Sequence, residues 1–132
     1  MPPRLFTRQE AEDLLPHVAP LLWQMRDLKK EHDACQSRLA ELQARGQGNG
    51  HGLDVEVARA RQGQQQAAMA INGIIDRVKA MGVEVKDIDM GLVDFRSERN
   101  GREVYLCWKL GEEHIGWWHD LDTGYNSRQP LE

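Results

Sequence analysis

The sequence predicts an α+β fold: a long antiparallel helical hairpin packed on a small three-stranded antiparallel β-meander. Three observations predict it. Apolar residues recur at Leu14, Val18, Leu21, Met25, Leu28, His32, Cys35, Leu39 and Leu42, and steps alternating between four and three mark one seam of a helix. Beyond the glycine-rich stretch 45–52 the same rhythm returns at Leu53, Val57, Ala60, Gln64, Ala67, Ile71, Ile74, Val78 and Met81. Past Gly82 the period changes to two, and two turn signals, Asn100-Gly101 and Gly111-Glu112, divide the remaining chain. A chain of 132 residues suits one domain over 1–132, with the hairpin at about 8–82 and the meander and C-terminal segment at about 83–132.

The first helix opens on Thr7 with Glu10 three residues later, a capping-box spacing that places its start at Arg8. Pro16 and Pro20 lie one turn apart inside it. Each removes a backbone donor and crowds the preceding turn, so a kink or break is expected at 15–20. Folding the two seams together antiparallel pairs Leu42 with Leu53, Leu39 with Val57, Cys35 with Ala60 and His32 with Gln64. The last pair joins the two polar members of the seams, and a polar layer of that kind fixes register. Cys35 beside it reads as a small buried hydrophobe. Gly82 is the stop signal of the second helix. A second apolar stripe, with Leu15, Leu22, Trp23, Ala68 and Ile75, marks the end of the hairpin on which the sheet packs.

The strands are expected at Leu92–Arg96, Arg102–Leu110 and His114–His119. Two-residue turns at Asn100-Gly101 and Gly111-Glu112 set the register. Val104 then faces Ser97, Leu106 faces Phe95 and Trp108 faces Val93. On the other side Val104 faces His119, Leu106 faces Trp117 and Trp108 faces Ile115. The apolar residues collect on one face, with His119 at its edge. Asp94, Arg96, Glu103, Tyr105, Cys107, Lys109, His114, Trp118 and Asp120 share the other, as a half-buried antiparallel sheet requires.

Two groups of residues carry candidate chemistry. On the polar face Asp94 lies across from Cys107, flanked by Glu103, Tyr105 and Trp118. A carboxylate beside a thiol raises the thiol pKa and makes a poor nucleophile. At the end of the third strand His119, Asp120 and Asp122 offer imidazole and carboxylate ligands of the kind Zn, Mn or Fe accepts, with Tyr125 and Arg128 just beyond. The metal candidates are therefore His119, Asp120 and Asp122. Asp94, Tyr105, Trp118 and Arg128 are the ligand-binding candidates, and Glu103, Cys107 and Glu112 the catalytic ones. No Walker loop, GxGxxG or GxSxG pattern is present.

These residues sit in three blocks, FTRQEAEDLLP, VKDIDMGLVDF and REVYLCWKLGEEHIGWWHDLDTGYNSRQPL. Together they resemble a bacterial family known as domain of unknown function 2203, over nearly the whole chain apart from the hairpin tip. The resemblance implies a small protein of helical hairpin and sheet, and it carries no established activity. Positions matching its motif are Asp94, Glu103, Cys107, Trp108, Glu112, Trp118, His119 and Arg128.

The expected function is a non-catalytic ligand-binding or protein-interaction module. The alternative is a small metal-dependent, hydrolase-like enzyme in which His119 with Asp120 or Asp122 holds the metal and Glu112 or Glu103 serves as acid and base, with His17 possible as a further ligand. A net charge of -4 argues against a nucleic-acid platform, which carries a basic surplus. No apolar run approaches the roughly 18 residues a membrane helix needs. Two isolated cysteines, Cys35 and Cys107, do not make a disulfide framework, and a reducing cytoplasm is the expected location. A homodimer through the helical hairpin is the expected assembly.

Overall fold

The computed structural model describes residues 4–45 and 51–131. Two long helices, α1 (Arg8–Arg45) and α2 (His51–Ala80), precede an antiparallel sheet of β1 (Val83–Asp87), β2 (Leu92–Arg99), β3 (Arg102–Lys109), β4 (Trp117–Asp120) and β5 (Gln129–Pro130). The sheet order is that of the chain, β1-β2-β3-β4-β5. It therefore has five strands where the sequence pattern indicated three. β1 pairs on only one side, with β2, and β5 is a two-residue pairing that includes a proline.

The helix start follows the capping box. The Thr7 N–H donates to Glu10 Oε1 at 2.8 Å and the Glu10 N–H to Thr7 Oγ1 at 3.1 Å, which satisfies two otherwise unpaired donors of the first turn. These bonds hold the Glu10 carboxyl below its ordinary value. The expected break at Pro16 and Pro20 does not occur, and α1 runs through both. Both prolines are exposed, so water can reach the backbone groups they leave without intrahelical partners. The stretch 46–50 of the expected glycine-rich loop lies outside the described residues, and α2 begins at His51.

The helices pack along the expected seams. Val18, Leu21, Met25 and Leu42 of α1 are buried, as are Ala60, Ala67, Ile71, Ile74 and Val78 of α2. His32 and Gln64 are only half-buried, and the His32 ring meets Asp33 at 3.1 Å, so this layer has access to water at the seam's edge. Gly82 ends the second helix at φ +87°, a conformation that glycine adopts at no steric cost.

One core joins the helices to the sheet: Ala11, Val18, Leu21, Leu22 and Met25, then Ile71, Ile74 and Val78, meet Val93, Phe95, Val104, Leu106, Trp108, Ile115 and Trp118. The N-terminal segment closes it. The Phe6 N–H donates to the Arg96 carbonyl at 2.8 Å, the Ser97 hydroxyl donates to the Phe6 carbonyl, and the Phe6 ring stands edge-on to Phe95 at 5.3 Å.

Between β2 and β3 the register is as the turn chemistry required: Val93 opposes Trp108, Asp94 opposes Cys107, Phe95 opposes Leu106 and Ser97 opposes Val104. Asn100 and Gly101 both have positive φ, as a type I′ hairpin turn demands. Between β3 and β4 the expected register fails by one residue. Val104 opposes Asp120, Tyr105 opposes His119, Leu106 opposes Trp118 and Cys107 opposes Trp117.

The cause is the connection. β3 ends at Lys109 and β4 begins at Trp117, so the two-residue turn at Gly111-Glu112 is replaced by a longer excursion. Gly111, at φ +101°, belongs to a turn closed by the Glu112 N–H on the Lys109 carbonyl at 3.0 Å. The Trp108 indole N–H donates to the Glu112 carbonyl at 3.0 Å, and the Ile115 N–H donates to Glu12 Oε1 of α1 at 3.1 Å. Ile115 is thereby set into the core from a loop. A slip of one residue reverses every side chain of a strand. Trp118 therefore enters the core at 9% exposure, while His119 and Trp117 turn to the opposite face.

Candidate metal centre

The reversal of β4 builds a site that the expected register would have dispersed. Asp94 on β2, Cys107 on β3 and His119 on β4 now occupy adjacent strands on the sheet face away from the helices, exposed by 2%, 0% and 2%. One donor atom from each lies within 4.8 Å of the others. The imidazole is held at both ends. Nδ1 lies 2.8 Å from the Asp120 carbonyl; a carbonyl only accepts, so Nδ1 carries a proton and donates it. Nε2 lies 3.0 Å from Asp94 Oδ2, and the second oxygen, Oδ1, has no hydrogen-bond partner among the described residues.

Burial pushes the Asp94 carboxyl above its ordinary value, opposed by the charge and hydrogen bond of His119. Burial, then the neighbouring Asp94 charge, push the Cys107 thiol up to about 12, with Arg128 acting in the opposite sense. At neutral pH the free thiol is protonated and is no nucleophile. The environment that suppresses nucleophilic chemistry is compatible with ligation, because a metal ion displaces the thiol proton outright.

A polar and aromatic layer surrounds the three donors. The Tyr105 ring lies 5.4 Å from that of His119, its hydroxyl donates to Glu84 at 3.1 Å, and Arg96 donates to that hydroxyl at 3.2 Å. The Arg128 guanidinium lies against Trp117 and Tyr125, 4.7 and 4.8 Å from the ring centroids. Its Nη2 contacts Glu112 Oε2 at 2.6 Å, while the other Glu112 oxygen accepts from the Lys109 N–H at 2.8 Å.

The structure does not bring His119, Asp120 and Asp122 together as one donor group. His119 takes part, but the Asp120 side chain pairs with Arg102 at 3.0 Å and contributes only its carbonyl, to Nδ1. Asp122 is exposed and is no part of the group. Trp118 is a core residue, with Arg99 and Arg102 stacked 5.1 and 5.9 Å from its ring. Glu103 pairs with Arg96 at 3.6 Å, Glu112 is bound by Lys109 and Arg128, and His17 is exposed. Asp94, Tyr105, Cys107 and Arg128 remain around the site.

What the sequence pattern missed was the partnership of His119 with Asp94 and Cys107. The adjacent Trp117 and Trp118 made it illegible, because a strand displaced by one residue still presents a tryptophan to the core. The structure resolves the choice through a seven-residue connection, Leu110 to Gly116, between β3 and β4.

Among the described residues, no helix is long and apolar enough to cross a membrane. No curated protein and no solved structure matches the chain. A family model described as "Uncharacterized conserved protein (DUF2203)" matches residues 4–131, essentially the whole chain, and the chain belongs to that family.

Proposed function

We propose that the protein is a metal-binding module, whose sheet holds one borderline-soft divalent ion, Zn²⁺ or Fe²⁺, through Asp94, Cys107 and His119. The observation that carries this reading is the buried donor set itself, with the His119 ring already oriented by its Nδ1–H bond to the Asp120 carbonyl. Histidines that ligate a metal through one nitrogen commonly donate the other N–H to a carbonyl or carboxylate, which fixes tautomer and ring angle. Nε2 then points its lone pair at the other two donors. A thiolate in the set favours Zn or Fe over Mn, which prefers oxygen ligands.

Zinc bonds of about 2.0–2.3 Å place tetrahedral donors roughly 3.3–3.8 Å apart. Occupancy therefore lengthens the 3.0 Å contact between Nε2 and Oδ2 and gathers the three donors around a common centre. The bound ion would tie β2, β3 and β4 together.

A non-catalytic role fits better than hydrolysis. Glu103 and Glu112, the acids proposed from the sequence as general acid and base, are engaged with Arg96 and with Lys109 and Arg128. The three donors are almost wholly removed from solvent, which denies a bulky substrate access to them.

The test is elemental analysis of tag-free protein purified without chelator, beside Asp94→Asn, Cys107→Ser, His119→Ala and Asp122→Ala variants. Near-stoichiometric metal in the parent and in Asp122→Ala, lost from the other three, is expected. Absence of metal from the parent after loading with Zn²⁺ or anaerobic Fe²⁺ overturns the proposal.

A further inference from the structure

Arg128 is the feature of the surrounding layer that its neighbours do not explain. Its side chain is only 8% exposed. Stacking against Trp117 and Tyr125 fixes the guanidinium plane, and Glu112 takes Nη2. Nη1 is buried and has no hydrogen-bond partner among the described residues. A buried guanidinium N–H without an acceptor is unfavourable, and a site that maintains one presents it to something that accepts. An arginine held by two aromatic rings and a carboxylate is also pre-organised, so little conformational freedom is lost when an anion arrives.

Its position links it to the metal donors. The β4–β5 pairing sets Trp117 opposite Pro130 and Trp118 opposite Gln129, and the Arg128 guanidinium lies 4.7 Å from the ring of Trp117, the residue that opposes Cys107 across β3 and β4. The donor set leaves a coordination position open, since Asp94, Cys107 and His119 supply three ligands and these ions commonly take four. Charge selects among anionic ligands. A divalent ion is balanced by the Asp94 carboxylate and the Cys107 thiolate, while Arg128 has its positive charge offset by Glu112. A monovalent anion bridging metal and arginine leaves one negative charge in the site, the smallest excess an anionic ligand can bring, and a dianion doubles it.

Resting on the metal-binding reading above, we propose that the fourth position takes a small free carboxylate, one oxygen on the metal and the other accepting from Arg128 Nη1. The near-complete burial of the donors and of Arg128 limits the ligand to a few heavy atoms. Carboxylate suits the position because its two oxygens lie in one plane and serve a metal and a guanidinium N–H together.

The experiment uses the full chain loaded with Co²⁺, whose visible bands report coordination and whose sulfur-to-metal charge-transfer band reports Cys107. Sodium acetate is titrated at constant ionic strength, with chloride as the compensating anion. A saturable change in the visible bands, with the charge-transfer band retained, is expected. Arg128→Gln should weaken apparent acetate affinity by about tenfold or more, the order of one charge-assisted hydrogen bond, without reducing cobalt uptake. Arg128→Lys keeps the charge but not the planar fork and should fall between the two, which guards against a folding defect in the glutamine variant. No cobalt uptake by the parent overturns the metal reading and this one with it. Cobalt uptake with a spectrum indifferent to acetate overturns the carboxylate proposal alone. An acetate response unchanged in both Arg128 variants overturns the role given to Arg128.

Discussion

The contact between Asp94 and His119 gives the most direct stability experiment, a double-mutant cycle in chelator. Both residues are 2% exposed and meet at 3.0 Å. His119→Ala leaves the Asp94 carboxyl buried with only the Cys107 thiol as a side-chain partner, and removing one member of a buried pair costs about 3–5 kcal/mol. Asp94→Ala leaves an imidazole nitrogen without its partner, at a cost of about 1–3 kcal/mol. The double variant loses the packing of both side chains but strands no polar group, so it should cost about 2 kcal/mol less than the two single losses combined. Urea unfolding followed by tryptophan fluorescence, with EDTA present throughout, reads these differences. The single variants should also melt roughly 4 °C lower per kcal/mol lost. Additivity within about 0.5 kcal/mol would refute the coupling, and with it the view that this contact organises the outer face.

Three other outcomes follow from named groups. Metal binding must displace the Cys107 proton, since the thiol is pushed up to about 12, so apparent zinc affinity should rise about tenfold per pH unit for each proton released; calorimetry in buffers of different ionisation enthalpy counts those protons. In the metal-free protein the folded state retains this proton while the unfolded chain releases it near the ordinary value of 9.0. The Cys107 contribution to stability is therefore full below pH 9 and lost as pH rises toward 12, with an upper bound of about 4 kcal/mol, and Cys107→Ala should lack this alkaline component in urea titrations at stepped pH. In the helix pair, a β-carbon at Gly63 would stand 2.8 Å from Cys35 Sγ. Gly63→Ala should accordingly fail to deliver the helix-propensity gain of about 1 kcal/mol in the parent and deliver it in a Cys35→Ala background, as judged by thermal melts of the four proteins.

Much of this architecture was legible where chemistry admits a single solution. Thr7 and Glu10 mark a helix start because each satisfies the other's backbone donor. Asn100-Gly101 fixes the β2–β3 register because both residues must adopt positive φ, and the opposition of Asp94 and Cys107 follows from it. Legibility ended where several solutions look alike in sequence. Gly111-Glu112 resembles a two-residue turn, yet the Glu112 side chain and carbonyl bind Lys109 and Trp108 and direct the chain into a longer loop. With tryptophans at both 117 and 118, the alternation pattern cannot choose a register. His119 is grouped in sequence with Asp120 and Asp122, its neighbours along the chain, whereas Asp94 and Cys107 are its neighbours in space. Pro16 and Pro20 suggested a break because an isolated helix is weakened by them, whereas α1 is held along its length by α2 and the sheet.

The attachment of Phe6 to the end of β2 bears on the order in which the chain assembles. The helix pair and each step of the meander join neighbours in sequence, whereas Phe6 and Ser97 are 91 residues apart. Contacts that close so long a loop pay the largest entropy before any return. The segment ahead of α1 should therefore dock late, after the rate-limiting barrier. Ser97→Ala is then expected to accelerate unfolding while leaving the refolding arm of the chevron nearly unchanged. The N-terminal segment would act as a latch on the folded lifetime, with little influence on how fast the chain finds its fold.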